Sequence, residues 1–321
     1  MYFSIIIAAY NAEEYLERCL LSVLNQTFND YEVVLINDGS NDNTENICGR
    51  FREDKKLKYY YKENSGVVEA RNYGFNKASG QYILYVDADD YIENNLLSNI
   101  YEYNKDRALD IVFYGYVIEY PDKKIEKRAG IFNQDEIIRE MIDNNILNFT
   151  WSKVYKKETA EANGIKFDNN VKYGEDLLYI IELLKYTNNV GYFDYIGYHY
   201  VINGNSITNN DSTYSLKDYF YIESRYLDFL DTVFEKNNKY IDTLNNELGS
   251  IVALWFRTLI ANRFTYIEIT RLYNSHEYKS FFEQINHLSR KIKKKNMRIS
   301  IFLKGYLGYI TWKILKKIKR K

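Results

Sequence analysis

Three carboxylates fall within four positions at Asp87-Ala88-Asp89-Asp90, directly after the apolar run Tyr82-Ile83-Leu84-Tyr85-Val86. A buried strand of that length would carry the cluster to its carboxyl end, where like charges so close repel one another. The usual relief is a bound divalent cation, and hard ions such as magnesium or manganese take oxygen ligands of this kind. Taken alone, the same tip also reads as a turn with a helix cap, because Asp suits both. A second acidic pair, Glu175-Asp176, follows Gly174 and precedes Leu177, Ile180, Ile181 and Leu184, which repeat at helical spacing. Two carboxylate stations on different segments suit a displacement: one neutralises a departing anion through a cation, the other takes a proton from the incoming hydroxyl. The pair also reads as an acidic first turn that complements the helix dipole.

These groups need elements to position them. Residues 3–9 read as a fully buried strand, and Leu16, Cys19, Leu20, Val23 and Leu24 as the apolar face of a helix. A second strand spans 31–36, followed by turn chemistry at 37–44 that opens a helix capped by Ser40 or Asp42. A third strand, 57–61, leads through Asn64-Ser65-Gly66 to a helix ending at Ala78 before Gly80, and the Tyr82 strand follows. Strands alternating with helices predict an α/β fold, a mostly parallel sheet flanked by helices, with ligands beyond the carboxyl ends of the strands. Asp38, Asn64, Asp87 and Asp89 all follow strands, so one crevice collects them. Farther on, 100–120 predict a helix and a strand, Pro121 a charged hairpin, 135–143 a helix and 151–155 a return to the sheet. Near residue 210 the pattern turns to helices such as 248–260, which sets the expected organisation as a 1–210 domain and a 211–321 helical region.

With 46% apolar and 27% charged residues over 321 positions, the chain is globular. Its two cysteines, Cys19 and Cys48, lack metal-ligand spacing and fit a reducing compartment. Residues 1–7 show no leader pattern and no apolar run reaches membrane-spanning length, so a cytoplasmic location is expected. The net charge of −1 hides an asymmetry: residues 284–321 hold thirteen Lys and Arg and no acid, leaving the first 283 residues near −14. An acidic body of that size repels phosphate backbones and argues against a nucleic-acid partner. In the tail, Phe302, Leu303, Tyr306, Leu307, Ile310 and Ile314 form an apolar stripe beside Lys313, Lys316, Lys317, Lys319, Arg320 and Lys321. That pattern suits peripheral attachment to an anionic membrane surface, and equally a docked helix with a solvated basic end.

Ser4-Ile5-Ile6-Ile7-Ala8-Ala9-Tyr10-Asn11, Asn37-Asp38-Gly39-Ser40-Asn41-Asp42-Asn43-Thr44, Asn64-Ser65-Gly66 with Ala70-Arg71-Asn72-Tyr73-Gly74, Asp87-Ala88-Asp89-Asp90 and Gly174-Glu175-Asp176 occur in that order. Over residues 3–210 this set resembles the family 2 glycosyltransferases, which have the GT-A fold. The resemblance implies inverting transfer of a sugar from a nucleotide donor, most often a UDP-sugar, to a hydroxyl of a glycan or lipid-linked acceptor. It further implies a divalent cation (Mn or Mg) and a place in bacterial surface polysaccharide synthesis. Position by position, Ala8 and Tyr10 match the cradle of the uracil and Asp38 the acceptor of its imide proton. Asn64 and Arg71 match the polar wall near base and diphosphate, Asp87 the residue near the ribose, and Asp89 the metal ligand. Asp176 matches the general base, with Glu175 beside it facing the acceptor or holding the base in place, and His199 lies where some members place a metal or diphosphate ligand. A structural strand histidine is the other reading of His199. Departures are Ala8 where Pro is common, Val68 where Ser is frequent, and Val201 where an Arg often follows Tyr-x-Tyr. A dehydrogenase is excluded by the missing Gly-x-Gly-x-x-Gly, and a sugar nucleotidyltransferase by the missing basic Gly-rich loop at Ala9-Tyr10-Asn11-Ala12. The alternative left is a non-catalytic sugar-nucleotide-binding protein or scaffold with the same fold.

Overall fold

The computed structural model describes residues 1–128, 148–171, 174–187, 189–203 and 216–236, with single positions 283 and 287. The chain divides into two compact units, Met1–Ser212 and Thr213–Lys321. In the first, β1 (Phe3–Ala9), α1 (Leu16–Leu24), β2 (Tyr31–Asp38), α2 (Thr44–Phe51), β3 (Leu57–Lys62), α3 (Val67–Lys77) and β4 (Tyr82–Tyr85) alternate as the periodicity predicts. They are followed by β5 (Tyr91–Ile92), α4 (Leu96–Asn104), β6 (Ile111–Glu119), β7 (Lys124–Lys127), a 3-10 turn (Thr150–Ser152), β8 (Lys153–Lys156), α5 (Lys157–Ala162), α6 (Glu175–Lys185) and β9 (Val190–Val201).

Among the described residues the sheet runs β3-β2-β1-β4-β8-β6-β9-β5, with β7 on β6. Its first half is parallel: β1 pairs with both β2 and β4, and β2 with β3. Both faces of this half are covered, which explains strands that read as continuous apolar runs. Ile5, Ile7, Val33 and Leu35 pack with Leu16, Cys19, Leu20 and Cys48 of α1 and α2. Their neighbours Ile6 and Ile36 point the other way, to Gly74 of α3, where an added Cβ would stand 2.5 Å from Ile6. Each fully buried Ile or Leu contributes about 1.5–3 kcal/mol, so this two-sided core fixes the register of β1, β2 and β4.

Beyond β4 the sheet becomes mixed. β8 runs antiparallel to β4 and β6, and β6 and β9 are parallel to each other. β7 returns on β6 through the short connection at Pro121, and so close a return forces antiparallel pairing. The second acidic station rides on α6, whose buried face is wider than the sequence stripe. Leu178, Tyr179, Ile180, Ile181, Leu183 and Leu184 are buried while Leu177 is half-exposed. The reason is a packed aromatic layer beneath it, with the Tyr179 ring stacked on Phe167 at 4.1 Å and its hydroxyl 2.6 Å from that of Tyr155. The cap of α2 also differs from expectation: Asn43 occupies it. Ser40 and Asp42 are drawn off to the loop after β1, accepting the Asn11 and Glu13 amides at 3.0 Å each, although Asp42 still accepts the Thr44 amide.

In the second unit, α7 (Leu216–Lys236) buries Ile222, Tyr226, Leu227, Phe229 and Leu230 along one face. The helices read at 135–143 and 248–260 and the basic tail from Phe302 to Lys321 lie outside the described residues. Among the described residues no helix is long and apolar enough to cross a membrane.

Candidate active site

β1 ends between β2 and β4, so the parallel register places the residues after all three strands along one edge. At the β2 side, Asp38 is nearly inaccessible. Its Oδ2 accepts the Gly66 amide at 2.8 Å, and its Oδ1 accepts the Ser65 amide at 3.1 Å and the Lys62 ammonium at 2.5 Å. Gly39 follows with φ of +71°, and a Cβ there would stand 2.6 Å from the Asn64 nitrogen, so glycine is what lets the 64–66 loop close over Asp38. Asn64 is exposed beside it, Ala8 is half-buried within β1, and the Tyr10 ring is 50% exposed at the strand end.

At the β4 side, the three aspartates take different surroundings. Asp90 is fully buried; its Oδ2 accepts the Tyr198 hydroxyl at 2.7 Å and its Oδ1 the Val201 amide at 2.8 Å. The Tyr198 hydroxyl also accepts the Asp87 amide at 3.1 Å, so one buried phenol fixes the loop at two points. Burial, and then the charges of Asp87 and Asp89, push the Asp90 carboxyl well above the usual range. Asp89 points elsewhere, with the Asn203 amide donating to its Oδ2 at 2.9 Å, and among the described residues no Lys or Arg pairs with its carboxylate.

Arg71 of α3 joins this loop to the second acidic station. Its Nη2 donates to Asp87 Oδ1 at 2.9 Å, and its Nη1 to Asp176 Oδ1 at 2.8 Å and Glu175 Oε1 at 3.2 Å. Gly174 starts α6 in the left-handed region at φ 76°, which presents both acids in the first turn. The Thr150 amide and hydroxyl donate to Asp176 Oδ2 at 3.3 and 3.2 Å, so both oxygens of Asp176 are held. One guanidinium therefore faces three carboxylates. Burial and the Asp176 charge push Glu175 up to about 7 despite Arg71, and burial with the charges of Asp89 and Asp176 raises Asp87. Lys153, buried beneath the 3-10 turn, donates to the Phe149 carbonyl, and burial draws its amine down to about 7.

The structure brings Arg71, Asp87, Glu175 and Asp176 into direct contact, and places Asp38, Tyr10 and Asn64 together on the opposite side of β1. His199 is not joined to either group. Its ring stacks on Tyr91 at 4.1 Å, and its two nitrogens face Glu119 and Glu93 at 2.9 and 2.8 Å, an arrangement that ties β9 to β5 and β6. Both ring nitrogens are therefore taken by glutamates instead of facing Asp89. Lys62, Thr150 and Tyr198 were not singled out from the sequence. Only Tyr198 left a signal there, as the first tyrosine of Tyr198-His199-Tyr200.

The donor set fits a divalent cation. Asp87, Asp89, Asp90, Glu175 and Asp176 outnumber Arg71, and burial first, then the neighbouring carboxylates, raises Asp87, Asp90 and Glu175. Among the described residues no group of three or more His, Cys, Asp or Glu side chains is arranged to hold a metal ion by itself. Magnesium-type sites beside phosphates typically take one or two carboxylates and complete the shell with phosphate oxygens and water.

The profile described as Glycosyl transferase family 2 matches residues 4–170, which include every one of these elements up to β8 and α5. The chain belongs to this family. Among curated relatives, a "Glycosyltransferase GlyA" of Streptococcus pneumoniae is 33% identical over 180 residues, covering 51% of this chain and 25% of that protein. The "Poly(ribitol-phosphate) beta-N-acetylglucosaminyltransferase TarP" of Staphylococcus aureus is 31% identical over 170 residues, covering 51% of each. The matched stretch thus spans about half or less of these relatives' length. In three dimensions the chain resembles S. aureus TarS 1-349 in complex with UDP, at a TM-score of 0.71 and 18% identity, over 99% of this chain and 92% of that one. The complex of the same protein with UDP-GlcNAc gives 0.68. At that identity the likeness establishes the fold, which is GT-A.

Proposed function

We propose that this family 2 glycosyltransferase moves a sugar from a UDP-sugar to a hydroxyl of a glycan or lipid-linked acceptor, with inversion, in the building of a bacterial surface polysaccharide. The observation that carries the reading is the Arg71 junction, where the strand-end aspartates and the acidic first turn of α6 meet across one guanidinium. That juxtaposition supports both demands of a single displacement: a cation held by the strand-end aspartates would neutralise the leaving side, and a carboxylate of α6 would accept the proton on the entering side. The relatives named for glycosyl transfer and the UDP complexes of TarS support a uridine donor.

In this reading Tyr10 and Asp38 receive the base, and Asn64 lines the same wall. A divalent cation held by Asp89 would neutralise the diphosphate as it departs, with Asp87 near the ribose. Asp176 takes the acceptor proton. Its carboxylate is oriented at one oxygen by Arg71 and at the other by Thr150, so it is held in one rotamer before the acceptor arrives. Glu175, raised to about 7, is protonated in part near neutral pH, and that form can donate a hydrogen bond to an acceptor oxygen, while Asp176 makes the shorter bond to Arg71, 2.8 against 3.2 Å. His199 has no part in this mechanism.

The test is UDP release from a panel of UDP-sugars in the presence of manganese, with and without simple sugar acceptors. Release from at least one donor, accelerated by an acceptor, is expected. A chain that binds UDP-sugars and releases no UDP from any of them is the scaffold alternative.

A further inference from the structure

The base side of the site contains a cation that the transfer itself does not use. Lys62 closes β3 directly opposite Asp38 in the parallel register of β2 and β3. Its side chain is 19% exposed, against 3% for Asp38, so the lysine is the more accessible member of the pair. Besides Asp38 it donates to the Glu63 carbonyl at 2.7 Å and to the Ser65 hydroxyl, both on the exposed 63–65 loop. A carboxylate offers about four lone-pair positions. On Asp38 they receive Lys62, the Ser65 amide and the Gly66 amide, the last at 2.8 Å on Oδ2, where among the described residues the one other donor is the Ser65 amide at a long 3.4 Å. Oδ2 therefore keeps room for one more N–H, on the same carboxylate whose Oδ1 takes the ammonium. Tyr10 stands at the end of β1 next to this pair, because Ala9 and Asn37 are register partners, and its exposed ring offers a flat face for a heterocycle.

We propose that Lys62 is a specificity residue for the nucleotide base, donating a hydrogen bond to the ring carbonyl that flanks the N–H accepted by Asp38. This rests on the UDP-sugar reading above and names what selects the uridine. An anion beside a cation is complementary to an N–H beside a C=O, the edge that uracil presents at N3–H and O4. Cytosine presents the reverse: its N3 carries no proton for Asp38, and its amino group would point an N–H at an ammonium. Guanine shares the N–H and C=O order, so the pair rejects cytosine by charge pattern and leaves purines to the size of the pocket. To reach the carbonyl the ammonium exchanges one of its loop contacts, Glu63 or Ser65, for the base, and no proton changes hands.

Calorimetric affinities for UDP and CDP, with manganese present, test this in the wild type, Lys62→Met and Lys62→Arg, each checked for its melting temperature. A hydrogen bond from a charged donor corresponds to about tenfold to a hundredfold in affinity. The wild type is expected to prefer UDP, Lys62→Met to lose that factor for UDP with CDP changed less than about threefold, and Lys62→Arg to retain most of the preference. Equal losses for UDP and CDP in Lys62→Met would make Lys62 a structural tie, and tighter UDP binding would make it a latch that the base displaces; either overturns the proposal while leaving the donor reading intact. A wild type that binds neither nucleotide overturns the donor reading first and this inference with it.

Discussion

The parallel half of the sheet handles carboxylates in opposite ways at its two ends. At the amino ends of β1, β2 and β4 it buries one, Glu32, and surrounds it with donors. The Ser4 hydroxyl at 2.6 Å and the Ser79 amide and hydroxyl at 2.6 and 2.8 Å all reach Oε1, and Lys58 pairs with Oε2. Burial alone would raise this carboxyl, but Lys58 and the serines outweigh it and hold it down at about 2. At the carboxyl ends the same strands gather Asp87, Asp89 and Asp90, and α6 adds Glu175 and Asp176, with Arg71 as the shared cation. There burial and mutual repulsion win, and Asp87, Asp90 and Glu175 shift upward. In the proposed function the upward-shifted carboxylates belong to the reactive edge, and Glu32, buried and ion-paired with Lys58, belongs to the scaffold.

Substitutions at the two ends separate these roles. The largest effect belongs to Asp176→Asn, expected to lower turnover by about 10²- to 10⁴-fold with UDP affinity nearly unchanged, since general-base assistance is of that size. Steady-state rates of UDP release with acceptor check it, and Glu175→Gln should cost less. If the ranking inverts, the base is Glu175, whose pKa of about 7 would suit it.

At the other end, Glu32→Gln should leave turnover per folded molecule intact and cost about 2–3 kcal/mol of stability at neutral pH, a discount on the full shift because Lys58 is partly exposed. The folded carboxyl is depressed relative to the unfolded one. Its contribution is therefore present above the unfolded value of about 4.5 and lost as pH falls toward about 2. Urea unfolding of both proteins should show a gap at pH 7 that narrows steadily below pH 4. A gap that stays constant across that range would mean that the carboxylate's charge contributes nothing.

Much of the reactive edge was readable because its residues sit in short runs with one local geometry. Apolar runs of strand length fixed β1, β2 and β4; Asp38 is the last residue of β2, and Asp87 and Asp89 come within four residues of the end of β4. The helical period after Gly174 likewise placed Glu175 and Asp176 in a first turn. What the sequence could not display were contacts between distant segments. Arg71 meets acids more than a hundred positions away, and Tyr198 reaches back to fix Asp87 and Asp90. Thr150 holds Asp176 from a turn with no helical or strand period of its own. Lys62 reads as one more polar residue on an edge strand until the register sets it against Asp38. His199 shows the converse, a residue type that suggests a ligand but whose ring is stacked and bracketed by two glutamates.

The claim that the unmatched edge is completed by a nucleotide and a cation together is tested most directly by calorimetric titration of UDP in manganese and in excess chelator. The measurement is made on the wild type, Asp89→Ala and Glu32→Gln. Cation-dependent binding is expected in the wild type and in Glu32→Gln, with the cation dependence lost in Asp89→Ala while its fold, judged by melting, is kept. UDP binding that is equally tight in chelator, or equally cation-dependent in Asp89→Ala, would contradict the account.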